Sequence, residues 1–233
     1  MIENRKVLCF ILARGGSKGV PRKNLLLISG KPLISHSIDI AKKVKYIDKI
    51  FVSTEDKEIK TISLKFGADV VDRPPELATD TADYLDAVKH MINTIPDCKE
   101  NPILVLLETT SPIRKISDIE KCIEMYNKNV DSVISVNQVK SDPSYMYKQE
   151  NNLLKPFLEK VPIKRRQDAE SLVAYNGSIL VSSCDFLKNQ TDVVLGGRMI
   201  GYTLDEKYSI DIDSKLDFEI CQFILESLEK KVK

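Results

Sequence analysis

Short apolar runs alternate with amphipathic stretches along most of this chain. Residues 7–12 are continuously apolar and stop at Ala13-Arg14-Gly15-Gly16, the pattern of a buried first strand entering a turn. A helix is expected from about Pro32, a residue suited to a first helical position, through Ala41. A strand follows over residues 50–53, then a helix over 56–66 that Gly67 closes. Beyond a loop at Arg73-Pro74-Pro75, a helix is expected to start near Thr79 or Asp80. Residues 103–107 read as the next strand. Ser117-x-x-Glu120 is a capping-box pattern, predicting a helix from there to about Asn127, and residues 132–136 are again strand-like. Strand character returns at 178–182 and 199–203, and a final helix follows Asp213, which with Ser214 offers an N-cap. Strands spaced by helices imply a mainly parallel sheet flanked by helices, an α/β fold whose ligands bind beyond the carboxyl ends of the strands. From 139 to 172 the pattern degrades into polar, Lys-rich sequence, read as an inserted segment used for dimer contacts or as a substrate cap.

At 233 residues the chain suits a single domain with that small insert. Hydrophobic residues are 42% and charged residues 30%, the balance of a globular protein. A net charge of +1 provides no global field for polyanions, so nucleic acid is disfavoured and any phosphate site has to be built locally. The first apolar stretch is too short for a signal peptide or a membrane span, so neither export nor a membrane partner is expected. Five scattered cysteines without a C-x-x-C pair read as buried reduced thiols, which points to cytoplasm.

Two local patterns carry chemistry. Residues 13–24 hold Gly15, Gly16 and Gly19 among Arg14, Lys18, Arg22 and Lys23: glycines let N–H groups close on an anion, and the cations supply charge to a triphosphate. Neither the Walker spacing nor G-x-G-x-x-G is present, and a plain cationic surface loop is the alternative. Asp211 and Asp213 lie two apart in an extended-looking run, which places both on one face. Paired carboxylates repel unless a cation lies between them, and hard oxygen ligands suit Mg²⁺; the alternative is a helix cap beside a solvated Asp211. Asp217 reads as a first-turn partner of the helix dipole rather than a ligand.

Residues 13–24 closely resemble the opening of the acylneuraminate cytidylyltransferases, also called CMP-sialic acid synthetases. Similar segments recur in family order at residues 52–56, 73–81, 110–114, 176–177 and 209–213. The resemblance implies a Rossmann-like nucleotidyltransferase fold, CTP and a nine-carbon sugar acid as substrates, Mg²⁺, and a homodimer. It implies catalytic roles for Arg14, Lys23 and Asp211 and a metal seat at Asp211 and Asp213. The nucleotide would lie against Ala13, Arg14, Gly15, Gly16, Ser17, Lys23, Asn24, Arg73 and Ala82. The sugar would meet Glu108, Thr110, Ser111, Lys148, Arg166, Gln167 and Asn176.

The chain departs from the pattern in its acceptor region. Glu108-Thr109 stands where Gln-Pro is usual, Ala174 replaces an Arg that could meet the sugar carboxylate, and, near the nucleoside, Asp83 and Tyr84 replace small Ser residues. Lys148, Arg165 and Arg166 could restore the missing clamp or simply form a solvated basic face. A carboxylate at Glu108 suits an N–H donor, which favours a diamino acid such as legionaminic acid over N-acetylneuraminate. The rivals are a cytidylyltransferase for an eight-carbon acid and a catalytically silent nucleotide-binding protein. His36 and His90 fall in expected helices and read as structural.

Overall fold

The computed structural model of the chain describes residues 5–17, 19–140, 143–158, 171–191 and 196–230. Val7–Leu12 (β1) is buried at every position and pairs in parallel with Lys49–Thr54 (β4) on one side and Ile103–Leu107 (β6) on the other. Asp69–Asp72 (β5) extends the sheet beyond β4, while Ser132–Gln138 (β7), Val173–Ser183 (β10) and Met199–Thr203 (β11) extend it beyond β6. Among the described residues the order is β11-β7-β10-β6-β1-β4-β5. Only β10 runs antiparallel to its neighbours in that sheet, so the other six strands end at one edge.

The alternation of β1 divides the core. Leu8, Phe10 and Leu12 face Tyr84–Thr94 (α3) and Cys184–Lys188 (α5), which contribute Leu85, Val88, Met91 and Leu187. Val7, Cys9 and Ile11 face Leu33–Ala41 (α1), Lys57–Lys65 (α2) and Ile116–Met125 (α4) through Ile34, Ile38, Ile59, Ile119 and Ile123. Each such side chain contributes roughly 1.5–3 kcal/mol on burial. A smaller cluster of Ile28, Leu33, Ile113, Ile212 and Cys221 holds Lys215–Lys230 (α6) against the molecule. Because Ile212 belongs to that cluster and its N–H donates to the Thr110 carbonyl at 2.9 Å, the segment before α6 is brought to the end of β6.

Several boundaries differ from expectation. Pro32 ends a short hairpin, Leu27–Ile28 (β2) with Lys31–Pro32 (β3), and α1 begins one residue later. Ser29 and Gly30, with φ of 47° and 75°, make its tight turn. Helix α2 ends at Lys65, and Gly67, the expected stop, follows its Phe66 cap with φ of 89°. Helix α3 starts at Tyr84 rather than Thr79 or Asp80, and its cap is Asp83, whose carboxylate accepts from Leu85 N–H at 2.7 Å. Ser117 lies inside α4, which begins after Lys115 without a side-chain cap, so the expected capping box does not form. One forms instead at α6: Asp217 accepts from the Ser214 N–H at 2.7 Å while its own N–H donates to Ser214 Oγ at 3.3 Å.

The 139–172 segment contains a two-stranded hairpin, Tyr147–Glu150 (β8) and Leu153–Pro156 (β9), exposed at every position of both strands. All five cysteines are buried and free of disulfides. Among the described residues no helix is long and apolar enough to cross a membrane.

Candidate active site

The carboxyl ends of β1, β4, β5 and β6 open into a cleft of about 290 Å³ lined by residues that include Arg14, Gly16, Ser17, Lys23, Asn24, Arg73, Thr79, Asp80, Ala82, Tyr84, Glu108 and Thr110. Its first wall is the glycine-rich turn. Ala13 is buried, and its N–H extends the β1 to β4 ladder by donating to the Ser53 carbonyl at 3.0 Å. Gly15 N–H then donates to Glu55 at 2.7 Å, and Asn24 Nδ2 donates back to the Arg14 carbonyl at 2.9 Å, closing the turn on itself. Asn24 is nine-tenths buried, and its Oδ1 has no hydrogen-bond partner. Arg14 crosses to the loop after β5, donating to the Thr79 carbonyl at 2.7 Å and meeting Asp80 at 2.9 Å.

The second wall is the loop after β5. Arg73 is buried against β4, with Nε on Ser53 Oγ at 3.0 Å and Nη2 on the Ser53 carbonyl at 2.8 Å. Burial lowers its pKa, the neighbouring Glu55 and Tyr84 oppose that shift, and the guanidinium stays charged. Thr79 to Ala82 remain outside α3 because two of them hold Arg14.

The paired aspartates do not line the cleft themselves but lie beside it, next to its lining residues Lys23 and Thr110. Ile212 points inward and is fully buried, so Asp211 and Asp213 both face outward, as a period of two requires. Asp211 is accessible, yet nearby protein desolvates its carboxylate, which together with Asp213 raises its pKa; a hydrogen bond from Thr110 and the charge of Lys23 oppose this. Lys23 Nζ donates to the Ile212 carbonyl and lies 3.9 Å from Asp213. A Cβ at Gly19 would stand 2.1 Å from the Asp213 carbonyl oxygen, so the glycine-rich turn touches the aspartate segment directly. Among the described residues no group of three or more His, Cys, Asp or Glu is assembled for a metal. Asp217, as the sequence pattern suggests, belongs to the helix cap.

Glu108 and Thr110 lie at the floor, where β6 ends. Burial pushes the Glu108 carboxyl up to about 7, against the opposing hydrogen bond of Tyr84 and the positive charge of Arg114 and Arg73. The residue keeps an opening to the cleft, but protein packs closely around its carboxyl. Arg114 is buried behind it and binds the Ser178 carbonyl at 2.9 Å, Ser37 Oγ at 3.1 Å and the Glu108 carbonyl. Burial lowers its pKa to about 10, which leaves it charged at neutral pH.

Other expected sugar contacts lie elsewhere. Ser111 is buried beneath Thr110, and its Oγ has no partner. Asn176 spends its amide within the fold, donating to Asn137 at 2.7 Å and accepting from the Ser178 N–H at 3.1 Å. Lys148 is exposed on β8, with its ammonium 5.6 Å from the Phe157 ring, and does not line the cleft. Lys18, Arg165, Arg166 and Gln167 lie outside the described residues. Arg114, Glu55 and Asp80 were not singled out from sequence, although each lies within a segment of the family-like pattern; which contacts they make depends on the fold.

A cationic amide-lined turn and a carboxylate pair, held together over the carboxyl edge of a mostly parallel sheet, define a nucleotidyltransferase-type α/β protein. Two solved structures share the architecture. A CMP:2-keto-3-deoxy-manno-octonic acid synthetase complexed with CTP matches with a TM-score of 0.71 at 17% identity, covering 95% of this chain and 99% of that one. A 4-diphosphocytidyl-2C-methyl-D-erythritol synthase gives 0.72 at 15% identity, over 95% and 100%. Such identities speak for the fold alone. By sequence, this chain belongs to the cytidylyltransferase family, which it matches over residues 8–179.

The N-acylneuraminate cytidylyltransferase of Streptococcus agalactiae serotype V is 37% identical over 218 residues, 91% of this chain and 52% of the relative. The post-translational flagellin modification protein B of Campylobacter coli is 32% identical, covering 98% of both chains. The CMP-N,N'-diacetyllegionaminic acid synthase of Legionella pneumophila is 31% identical, over 95% of this chain and 97% of the relative. The chain thus spans about half the length of the first of these curated relatives and nearly all of the other two.

Proposed function

We propose that this chain transfers CMP from CTP to the anomeric hydroxyl of a nine-carbon sugar acid, a sialic acid or a relative such as legionaminic acid. The hydroxyl oxygen attacks the α-phosphorus, the bond to the β-phosphate oxygen breaks, pyrophosphate leaves, and the hydroxyl proton passes to solvent. Family membership and the names of the relatives support the chemistry. The observation that carries the reading is the meeting of the two walls: Gly19 against the Asp213 backbone, with Lys23 bridging to Ile212.

In this reading Arg14 and Lys23 hold the phosphates and offset the negative charge that grows on them during transfer. Asn24, with its open Oδ1, and the Arg73 loop flank the nucleoside, while Glu108 and Thr110 face the acceptor. Asp211 and Asp213 fit a Mg²⁺ ion: one carboxylate is raised in pKa by its neighbour and by desolvation, both are accessible, and Mg²⁺ takes one or two carboxylates plus substrate phosphates and waters. When bound there, the ion supplies charge neutralisation and activation of the attacking hydroxyl. The apolar hairpin supports a homodimer, and the buried reduced thiols suit a reducing compartment such as cytoplasm.

Purified protein with CTP, Mg²⁺ and a panel of eight- and nine-carbon sugar acids should release pyrophosphate with a nine-carbon acid. Asp211→Ala should lose activity at least about 100-fold with its circular dichroism unchanged. Silence with every acid would favour a nucleotide-binding protein, and turnover with only the eight-carbon acid would reassign the acceptor.

A further inference from the structure

Tyr84 is the first residue of α3, fixed there by the Asp83 cap, and its ring packs partly buried on the core face that holds Leu85 and Val88. It lines the cleft together with Glu108, and its hydroxyl hydrogen-bonds the Glu108 carboxylate. The rest of Glu108 is held just as firmly. Its carbonyl accepts from Arg114 and from Ser37 Oγ at 3.1 Å, and a Cβ at Gly177 would stand 3.7 Å from its Cγ, so the middle of β10 lies against its stem.

We propose that Tyr84 is a positioning residue that aims the Glu108 carboxylate at the acceptor, so that the cleft selects a sugar acid presenting an N–H there. The inference rests on the cytidylyl-transfer reading above. Above about pH 7 the Glu108 carboxyl is ionised, and an ionised carboxylate only accepts hydrogen bonds. With one side engaged by the phenol O–H, the remaining acceptor capacity is turned toward the cleft. A secondary amide N–H satisfies that capacity, whereas an ester oxygen in the same place would leave a desolvated carboxylate facing a lone pair. Sites built to bond an N–H discriminate sharply against analogues that lack it.

The test uses matched acceptors that differ in one substituent, acylamino against acyloxy, and compares kcat/KM in the presence of CTP and Mg²⁺. The wild-type chain should prefer the acylamino acid by about tenfold or more. Glu108→Ala should bring the ratio close to one. Tyr84→Phe should lower it several-fold by raising KM for the acceptor, with KM for CTP unchanged. Because Tyr84 acts through Glu108, the double variant should match Glu108→Ala alone. Glu108→Gln, of the same shape, replaces the alanine variant if that does not fold.

A wild-type ratio near one, an effect of Tyr84→Phe that persists undiminished in the Glu108→Ala background, or an equal rise in KM for CTP would overturn the proposal. Absence of turnover with every acid would overturn the activity itself and the inference with it.

Discussion

Glu108 at the floor of the cleft and Arg114 behind it are neighbours, yet burial acts on them with different consequences. Arg114 is surrounded by carbonyl and hydroxyl acceptors from Ser37, Glu108 and Ser178, which together offset the cost of desolvating its charge. Glu108 is less well compensated, and its carboxyl rises from an ordinary 4.5 to about 7. Between those values the folded chain binds a proton that the unfolded chain has lost. This group therefore stabilises the fold progressively less as pH rises from about 4.5 to about 7, and the effect is level above that. Glu108→Gln removes this dependence, so the stability of that variant relative to wild type, measured by urea unfolding, should grow with pH across the window. A difference that stays constant would show that the carboxyl titrates normally.

At the scale of elements, the site is made by segments that leave their regular structure at the right place. The S-x-x-[DE] pattern occurs at both Ser117 and Ser214, but caps only α6. Helix α4 starts two residues earlier than a Ser117 cap would allow; Ile119 and Ile123 bury on the sheet and Asp118 accepts from the Tyr202 hydroxyl at 3.0 Å. Likewise Thr79 and Asp80 look like a helix start but hold Arg14 instead. The glycine-rich turn shows how closely two such segments meet. Gly19→Ala would force its new carbon into the Asp213 carbonyl, 2.1 Å away, and neither backbone can yield without moving the turn. Its kcat/KM for CTP should fall about 100-fold, as small displacements of reacting groups do, with far-UV circular dichroism unchanged. Near-normal kinetics would mean that the two segments need not touch during turnover.

At the scale of the whole molecule, the β8–β9 hairpin carries a surface that its own packing leaves unexplained. Tyr145, Met146, Tyr147, Leu153, Leu154, Phe157 and Leu158 are exposed on and around the β8–β9 hairpin, and an apolar patch of this kind marks an interface. If the proposed homodimer forms through this patch, wild type should run at twice the monomer mass in light scattering, and a chain carrying Leu153→Asp and Leu154→Asp should run at the monomer mass. Equal masses would remove the hairpin from the interface. Lys148, exposed on the same hairpin and away from the cleft, would approach a sugar only across such an assembly or after a rearrangement.

Local chemistry was enough to place much of this architecture. The limits of β1, β6 and β11, the glycine stop of α2, the turn after β1 and the outward pairing of Asp211 with Asp213 all follow from periodicity and backbone preference, which act over a few residues. Contacts between distant segments decided the rest. The reversal of β10, the delayed start of α3, the internal use of Asn176, the Tyr84–Glu108 pair and the approach of Gly19 to Asp213 each join residues far apart in the chain. Their free energy comes from burial and pairing that exist only once the sheet has assembled, so no window of sequence could contain it.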